Sequence, residues 1–197
     1  MRSEICEVMK ESYDRGWIST RDGNCSFKGW DENHILITPS GFKKNKLNES
    51  DIVQMGFFND KLIAEESSPS GELEMHWRLL SATDKSRCVL HLHPTNIIAA
   101  MMRGFDLSVL AKSFPEVFRY TRVGANVPDL PATSSRLAAH TFASIYSDAR
   151  SPANIVGQKF HGACAIGKTI HEAFEHMERL EHICKVTMLS GVSPETL

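Results

Sequence analysis

The sequence predicts an α/β protein, because strand patterns and helical periodicity both recur along its 197 residues. Short strands and polar turns alternate in the first third, and a buried strand that ends in two histidines is followed directly by a helix. This alternation predicts an antiparallel meander rather than repeated βαβ units. The predicted strands of the first third are His34–Thr38, Asp51–Met55 and Lys61–Glu65, and a turn at Asn59–Asp60 joins the last two. The strand with the histidines is Cys88–His93, and the helix after it is Thr95–Met102.

Further helices and strands are predicted along the whole chain. In order they are helices at Met1–Lys10, Glu72–Leu80 and Ser134–Tyr146, and strands at Val117–Val123, Asn154–Phe160 and Ala163–Ile166. The last helix begins at a predicted capping box of Thr169 and Glu172 and carries an apolar stripe. His171, His176 and His182 lie off that stripe and are predicted to face solvent.

Composition limits the class of protein. A hydrophobic content of 42% is enough for one sizeable core, so residues 1–197 are predicted to form a single domain. The net charge of -2 comes from interspersed charges without a basic stripe, and no apolar run approaches the length of a membrane span. We therefore expect no nucleic-acid or membrane partner. Five cysteines without paired spacing and a charged N-terminus predict free thiols in the cytoplasm.

The strand before Pro94 carries two histidines, His91 and His93, two positions apart. Alternate residues of a strand point to the same face, so both imidazoles lie side by side while Leu92 faces the opposite layer. Two neutral imidazoles at one strand end are half of a zinc-type site.

His161 is the best candidate for a third nitrogen ligand, because it lies between two apolar strands and precedes Gly162. Three histidines would leave one coordination position open, as in catalytic zinc sites. A histidine at a strand end can equally be a packed structural residue, and the long spacing from His93 is no signature. The residue pattern alone leaves both interpretations open.

Five short motifs occur in a fixed order along the chain, and together they carry a family resemblance. They are Gly23-Asn24-x-Ser26, Ile37-Thr-Pro-Ser-Gly41, Ser70-Gly-Glu-Leu-Glu-Met-His76, His91-x-His93-Pro94 and His161-Gly162. The chain resembles the class II, metal-dependent aldolases of the superfamily that includes fuculose-phosphate aldolase, ribulose-phosphate 4-epimerase and the adducin head. The pattern is closest to fuculose-phosphate aldolase.

The resemblance implies a three-layer α/β/α sandwich around a mostly antiparallel sheet, and commonly a homotetramer. It implies Zn²⁺, or another divalent ion such as Mn²⁺, Co²⁺ or Fe²⁺, bound by His91, His93 and His161. Glu72 takes the position of the glutamate that ligates the resting metal and then acts as acid and base. The epimerases have aspartate there, so a glutamate argues against that activity.

The resemblance also implies a phosphate pocket, and the chain departs from the family pattern around it. The residues at the pocket positions are Arg21, Asn24, Ser40, Gly41, Ser70 and Gly71. Gly71 stands where a second serine is usual, and Arg21 where a small hydroxyl residue is common; an arginine can donate two hydrogen bonds to an anion. Phe160 replaces a polar residue before His161. Tyr120 is the best match to the tyrosine that protonates the leaving alkoxide.

The activity implied is cleavage of a ketose 1-phosphate, fuculose- or deoxyribulose-phosphate-like, to dihydroxyacetone phosphate and an aldehyde through a metal-stabilised enediolate. The substrate would be a small phosphorylated sugar. A lyase of the methylthioribulose-phosphate dehydratase type is the alternative, since it shares the three histidines and the glutamate. A 4-epimerase, or a non-catalytic adducin-like binding module, is less favoured because Glu72 and all three histidines are present.

Overall fold

The computed structural model of the chain describes residues 1–29, 34–58, 61–64, 68–82 and 86–196. The helices are α1 Arg2–Asp14, α2 Leu73–Ser81, α3 Thr95–Met102, α4 Leu107–Leu110, α5 Pro115–Tyr120, α6 Ser135–Ile145 and α7 Ile170–Ser190. The strands are β1 Asn24–Lys28, β2 His34–Ile37, β3 Val53–Phe58, β4 Lys61–Ala64, β5 Cys88–Leu92, β6 Ile155–Gln158 and β7 Gly162–Gly167. The turn predicted at Asn59–Asp60 lies outside the described residues.

The seven strands form one sheet in the order β4-β3-β2-β1-β5-β7-β6, and every neighbouring pair is antiparallel. The first four strands are neighbours in sequence and in space, which confirms the predicted meander. β5 lies between β1 and β7, where His91 pairs with Asn24 on one side and with Cys164 on the other. The predicted metal strand is therefore near the middle of the sheet.

Alternating strand residues build two cores, one on each face of the sheet. On one face, Leu90 and Leu92 of β5 pack in a buried cluster with residues of α1, α3 and α7. On the other face, Val89 packs in a second cluster with residues of α2 and α6. The predicted three-layer α/β/α sandwich with an antiparallel sheet is confirmed. By the same alternation, His91 points to the face that α2 and α6 cover.

The start of α7 forms only half of the predicted capping box. The Thr169 hydroxyl oxygen accepts a hydrogen bond from the Glu172 amide at 3.0 Å. The Glu172 carboxylate accepts from the Lys168 amide at 2.5 Å, one residue before the cap. Both contacts satisfy backbone donors that the helix leaves unpaired, so the helix begins where the sequence predicts.

The sequence predicts a strand at Val117–Val123, and this prediction is wrong. The segment contains most of α5 instead. Pro115 occupies the first turn of this helix, where its fixed φ and missing amide hydrogen are tolerated. After the helix, Val123 makes a single isolated bridge to Ile155. The β-branched residues that favoured a strand therefore lie partly on a short helix, whose proline start outweighs their preference.

All five cysteines carry free thiols, as the sequence predicts. Burial raises the pKa of the Cys88 and Cys164 thiols, so these side chains stay protonated and behave as small apolar core residues. Among the described residues, no helix combines the length and the apolar character needed to cross a membrane.

His176 is buried, which contradicts the prediction that it faces solvent; His171 and His182 are exposed. The segment after α5 covers this side of α7, and Thr121 Oγ1 lies 2.9 Å from His176 Nδ1. Burial lowers the pKa of His176 to about 4. The imidazole is consequently neutral in the folded protein at neutral pH.

This neutral imidazole predicts an acid-sensitive contribution to stability. The pKa of His176 in the folded protein is about 4, below the ordinary histidine value. As the pH falls, the unfolded chain therefore binds a proton at this residue before the folded protein does. The contribution is complete above about pH 6.5 and is lost as the pH falls towards the folded pKa, with a size of up to about 3 kcal/mol. His176→Gln should flatten the acid slope of the unfolding free energy, measured by urea denaturation of metal-free protein.

The matched control is His182→Gln, because His182 is exposed on the same helix. The acid slope should fall in His176→Gln and not in this control. An equal slope for His176→Gln would contradict the assignment.

Candidate active site

Three histidines meet at the end of β5 that lies beside the start of β7. The ring centroids are 4.9 Å apart for His91 and His93, 4.7 Å for His91 and His161, and 4.9 Å for His93 and His161. One nitrogen from each ring lies within 4.8 Å of the other two. The structure thus brings together the three predicted metal ligands, although His93 and His161 lie 68 positions apart in the sequence.

The hydrogen bonds of His91 define its tautomer. Its Nδ1 donates to the carbonyl oxygen of Ala163 on β7 at 3.0 Å, so Nε2 of the neutral ring carries the lone pair. This Nε2 lies 3.1 Å from Nε2 of His93. The backbone carbonyl therefore orients the His91 ring, as outer partners of metal-binding histidines generally do.

Gly162 allows the third histidine to approach the other two. A Cβ at this position would lie 2.9 Å from Cδ2 of His93 and would overlap the carbonyl oxygen of Leu92. A residue with a side chain would therefore push the start of β7 away from the end of β5. The glycine after His161, visible in the sequence, is what the close strand approach requires.

Burial lowers the pKa of each imidazole in the cluster, most strongly for His91, and neighbouring imidazoles lower the pKa of His91 and His93 further. The value for His93 is about 4. All three rings are neutral at pH 7, which is the form that binds metals. The Nδ1 atom of His161 is buried and has no hydrogen-bond partner within the described residues. Three converging neutral nitrogens fit a zinc-type ion with an open position.

A cavity of 210 Å³ opens above this cluster. Every predicted phosphate-pocket residue lines it together with Glu72 and the three histidines: Arg21, Asn24, Ser40, Gly41, Ser70, Gly71, Glu72, His91, His93 and His161. Of the predicted site residues only Tyr120 is missing from the wall. Lys44 and Thr133 also line the cavity, and no motif in the sequence points to either residue.

Glu72 lies at the N-cap position of α2 and is 6% exposed. Its backbone amide donates to Ser70 Oγ at 3.3 Å, and its Oε1 accepts from the Thr133 amide at 2.9 Å. The carboxylate faces the cavity of the histidines, but it is not part of the cluster whose ligand atoms lie within 4.8 Å. In this structure it is therefore turned towards a backbone donor.

A buried chain of hydrogen bonds orients Asn24. Its Oδ1 is 2.5 Å from His76 Nε2, while Ser26 Oγ is 2.6 Å from His76 Nδ1. An amide oxygen only accepts, so His76 Nε2 donates to it and the Ser26 hydroxyl donates to Nδ1. Burial lowers the pKa of His76 to about 3, which keeps the ring neutral. The amide NH₂ of Asn24 is thereby left for the cavity.

Lys44 joins two loops of the cavity wall, although its position in a lysine-rich run predicts a solvated surface residue. It is 2% exposed, and its Nζ donates to the carbonyl oxygens of Arg21, Pro39 and Phe42 at 3.2–3.3 Å. Burial lowers its pKa. The guanidinium of Arg21 donates to the Gly41 carbonyl, so the arginine also holds this loop.

Tyr120 and Phe160 lie outside the cavity wall. Tyr120 ends α5, is 51% exposed and contacts the guanidinium groups of Arg119 and Arg179 at 5.2 and 5.6 Å from its ring centroid. Phe160 is 52% exposed and adopts a left-handed φ of 58° directly before His161. One chain does not bring the Tyr120 phenol to the histidines.

Known proteins share this sequence pattern and fold. Residues 3–188 match the family described as the class II aldolase and adducin N-terminal domain. The chain is 29% identical to an L-fuculose phosphate aldolase of Methanococcus maripaludis, covering 94% of this chain and 93% of the relative. It is also 29% identical to a methylthioribulose-1-phosphate dehydratase of Bradyrhizobium, covering 90% and 85%.

The solved structure of a sugar-phosphate aldolase from Thermotoga maritima has the same fold. It superposes with a TM-score of 0.82 at 20% identity, covering 98% of this chain and 97% of that one.

His93→Ala tests the histidine cluster directly. Loss of one of three nitrogen ligands should reduce bound metal to less than about a tenth, because two imidazoles hold a divalent ion far more weakly than three. The measurement is elemental analysis after purification and dialysis. His171→Ala, which removes an exposed histidine from α7, is the control and should retain its metal. Unchanged metal content in His93→Ala would refute the ligand assignment.

Proposed function

Because the chain belongs to the class II aldolase and adducin family, and so to a family of aldolase-type enzymes, we propose that it cleaves a ketose 1-phosphate. The products would be dihydroxyacetone phosphate and an aldehyde, as for a fuculose- or deoxyribulose-phosphate. One observation carries this proposal: Glu72 and three neutral histidines share a cavity with an amide, two serines and a buried lysine. Groups suited to proton transfer, metal binding and anion binding thus line one cavity.

The phosphate is assigned to the side of the cavity formed by Asn24, Ser40 and Ser70. The oriented NH₂ group of Asn24 and the serine hydroxyls supply neutral donors. Lys44 adds a positive charge, although its Nζ already donates to three carbonyls, so it acts on the phosphate through space. Binding the non-reacting phosphate there positions the carbon skeleton against the histidines.

His91, His93 and His161 would hold the divalent ion, Zn²⁺ in the first instance or Mn²⁺, Co²⁺ or Fe²⁺. When bound, such an ion supplies Lewis acidity that stabilises negative charge developing on the substrate's oxygens. The Ala163 carbonyl keeps the His91 ring in the tautomer that presents Nε2 to the cavity. His91 and Glu72 are themselves buried, which strengthens the electrostatic interactions that they make.

Glu72 is assigned the role of acid and base at the donor carbon. Its carboxylate is buried at the start of α2, and the backbone amide of Thr133 donates to Oε1. The other oxygen is available to accept a proton from the substrate or to return one. The assignment is supported by the orientation of the Glu72 carboxylate, which accepts from the Thr133 amide and lies outside the cluster of three histidines.

Protonation of the leaving alkoxide by Tyr120 stays a prediction. Since the phenol lies outside the cavity of one chain, the role depends on the homotetramer that the family resemblance implies. In that assembly a neighbouring copy would have to bring its own exposed α5 to the site. Cellular location in the cytoplasm likewise stays a proposal.

The proposed function is tested by assaying metal-loaded protein with a panel of ketose 1-phosphates. Release of dihydroxyacetone phosphate, coupled to a dehydrogenase that consumes it, is the expected result. The similarity to a methylthioribulose-1-phosphate dehydratase makes dehydration the principal competing outcome. Water loss from methylthioribulose 1-phosphate without release of dihydroxyacetone phosphate would overturn the aldolase proposal, as would inertness towards the whole panel.

Glu72→Gln should retain metal but lose turnover, because the amide preserves the shape of the side chain and cannot exchange a proton. A decrease in kcat of at least about a hundredfold is expected for loss of a general acid–base group. Glu74→Gln is the matched control, since Glu74 lies on the exposed side of the same helix and pairs with Arg78. Full activity of Glu72→Gln would remove the residue from the mechanism.

A further inference from the structure

His93 lies in a short segment between a strand and a helix. The pairing of β5 with β7 extends to Leu92 but not to His93, and α3 begins at Thr95. The His93 backbone amide donates instead to the carbonyl oxygen of Trp17 at 3.0 Å. Because this histidine lies beyond the paired part of the sheet, the position of its ring also depends on where α3 begins.

The first turn of α3 receives no hydrogen bond from a side chain at its own N-cap. Pro94 occupies the N-cap position with an extended backbone. A helix leaves its first backbone N–H groups without partners inside the helix, and burying such a group unpaired is unfavourable. Thr95 is exposed, whereas Asn96 is half-buried and Ile97 is buried. The amides of Asn96 and Ile97 therefore need acceptors from another part of the chain.

Glu181, on α7, supplies these acceptors. Its Oε1 accepts from the Asn96 amide at 3.2 Å and from the Asn96 side-chain NH₂ group at 2.7 Å, and its Oε2 accepts from the Ile97 amide at 2.9 Å. All three partners donate, which is the pattern that suits an ionised carboxylate, and hydrogen bonds to a charged acceptor are strong. The negative charge also lies at the positive end of the helix dipole.

The backbone that carries Glu181 is packed against the core. Its neighbours Leu180, Ile183 and Cys184 are buried on α7 and belong to the same cluster as Leu92 of β5. The Glu181 side chain itself is 6% exposed. Burial raises its pKa, and the hydrogen bonds from α3 act in the opposite direction. The carboxylate therefore links the first turn of α3 to a helix that the sheet holds in place.

We propose that Glu181 is a positioning residue of the metal site. By capping α3 from α7 it fixes the helix start that follows His93, and it thereby keeps the His93 imidazole beside the other two rings. Glu181 is not among the described residues that line the active-site cavity. Residues behind the ligands of a metal control the geometry of the site in this way. The inference rests on the proposed function in taking His93 as a metal ligand.

Loss of the cap should weaken metal binding by the folded protein. In Glu181→Ala the dissociation constant for Co²⁺ should rise about tenfold, a size typical for removal of a group that supports a metal ligand. The measurement is titration of the apoprotein with Co²⁺, followed by visible absorption, at a temperature where circular dichroism shows the variant to be folded. A lower unfolding midpoint with unchanged Co²⁺ affinity would indicate a purely structural role and overturn the proposal.

The matched control is Glu175→Ala, because Glu175 is exposed on the same helix and pairs with Arg179. Its Co²⁺ affinity should stay within about twofold of the unmodified chain, as for most surface substitutions. A loss in this control as large as that in Glu181→Ala would also contradict the proposal, since the effect would then not depend on the cap.

A local cap should replace the distant one. Serine is a preferred N-cap residue, and its hydroxyl oxygen accepts from the amides that Glu181 now serves; the extended backbone at Pro94 suits it. In the Pro94→Ser background, Glu181→Ala should therefore weaken Co²⁺ binding by less than about threefold, against about tenfold otherwise. Each comparison is made within one background, so a direct effect of Pro94→Ser cancels. Equal losses in both backgrounds would overturn the proposal.

Glu181→Gln is the second variant, for use if Glu181→Ala does not fold. The amide keeps one acceptor oxygen but presents its NH₂ group to a backbone donor, so a loss of Co²⁺ affinity of about threefold is expected. Unchanged affinity would refute the capping role. Because the titration needs no substrate, it decides this inference even if the panel of ketose phosphates gives no product. Absence of Co²⁺ binding by the unmodified chain would refute the metal assignment and this inference together.

Discussion

The pairing of β5 with β7 is the interaction on which the site depends. These strands lie next to each other without being neighbours in sequence, and their register places His91 opposite Cys164. The same pairing sets the Ala163 carbonyl against His91 Nδ1 and brings His161 beside the other two rings. Gly162 lets the backbones approach closely enough. A shift of one residue would turn His91 to the opposite core.

Burying three imidazoles side by side is unfavourable for their protonated forms, and the fold accommodates this by keeping them neutral. The fold buries His91 fully and His93 and His161 in part, and each ring lies near the next. The result is an arrangement of lone pairs that a cation stabilises. The site and the fold are therefore coupled: the packing that supports the sheet also prepares the nitrogen donors.

The sequence predicted what depends on local periodicity. Alternation along β5 was enough to place His91 and His93 on one side, and the strand-turn pattern predicted the meander of β1 to β4. Motif order extended the prediction to Glu72 and to the residues at the family's phosphate positions, which line the same cavity. What it could not provide were contacts made by distant segments: Lys44 in a lysine-rich run, Thr133 before α6, and His176 beneath the segment after α5 carry no local signal. The position of Tyr120 likewise depends on how α5 packs, which no local pattern determines.

The chain from Ser26 through His76 to Asn24 has a consequence for how the protein selects its ligand. Each hydrogen bond in this chain has one possible donor, because the Asn24 amide oxygen at one end can only accept. The buried His76 ring thus orients the Asn24 amide: the NH₂ group faces the cavity, and the oxygen accepts from His76. A histidine that never titrates in the working range makes this discrimination independent of pH. At this side chain a ligand atom that accepts hydrogen bonds is therefore favoured over one that donates them.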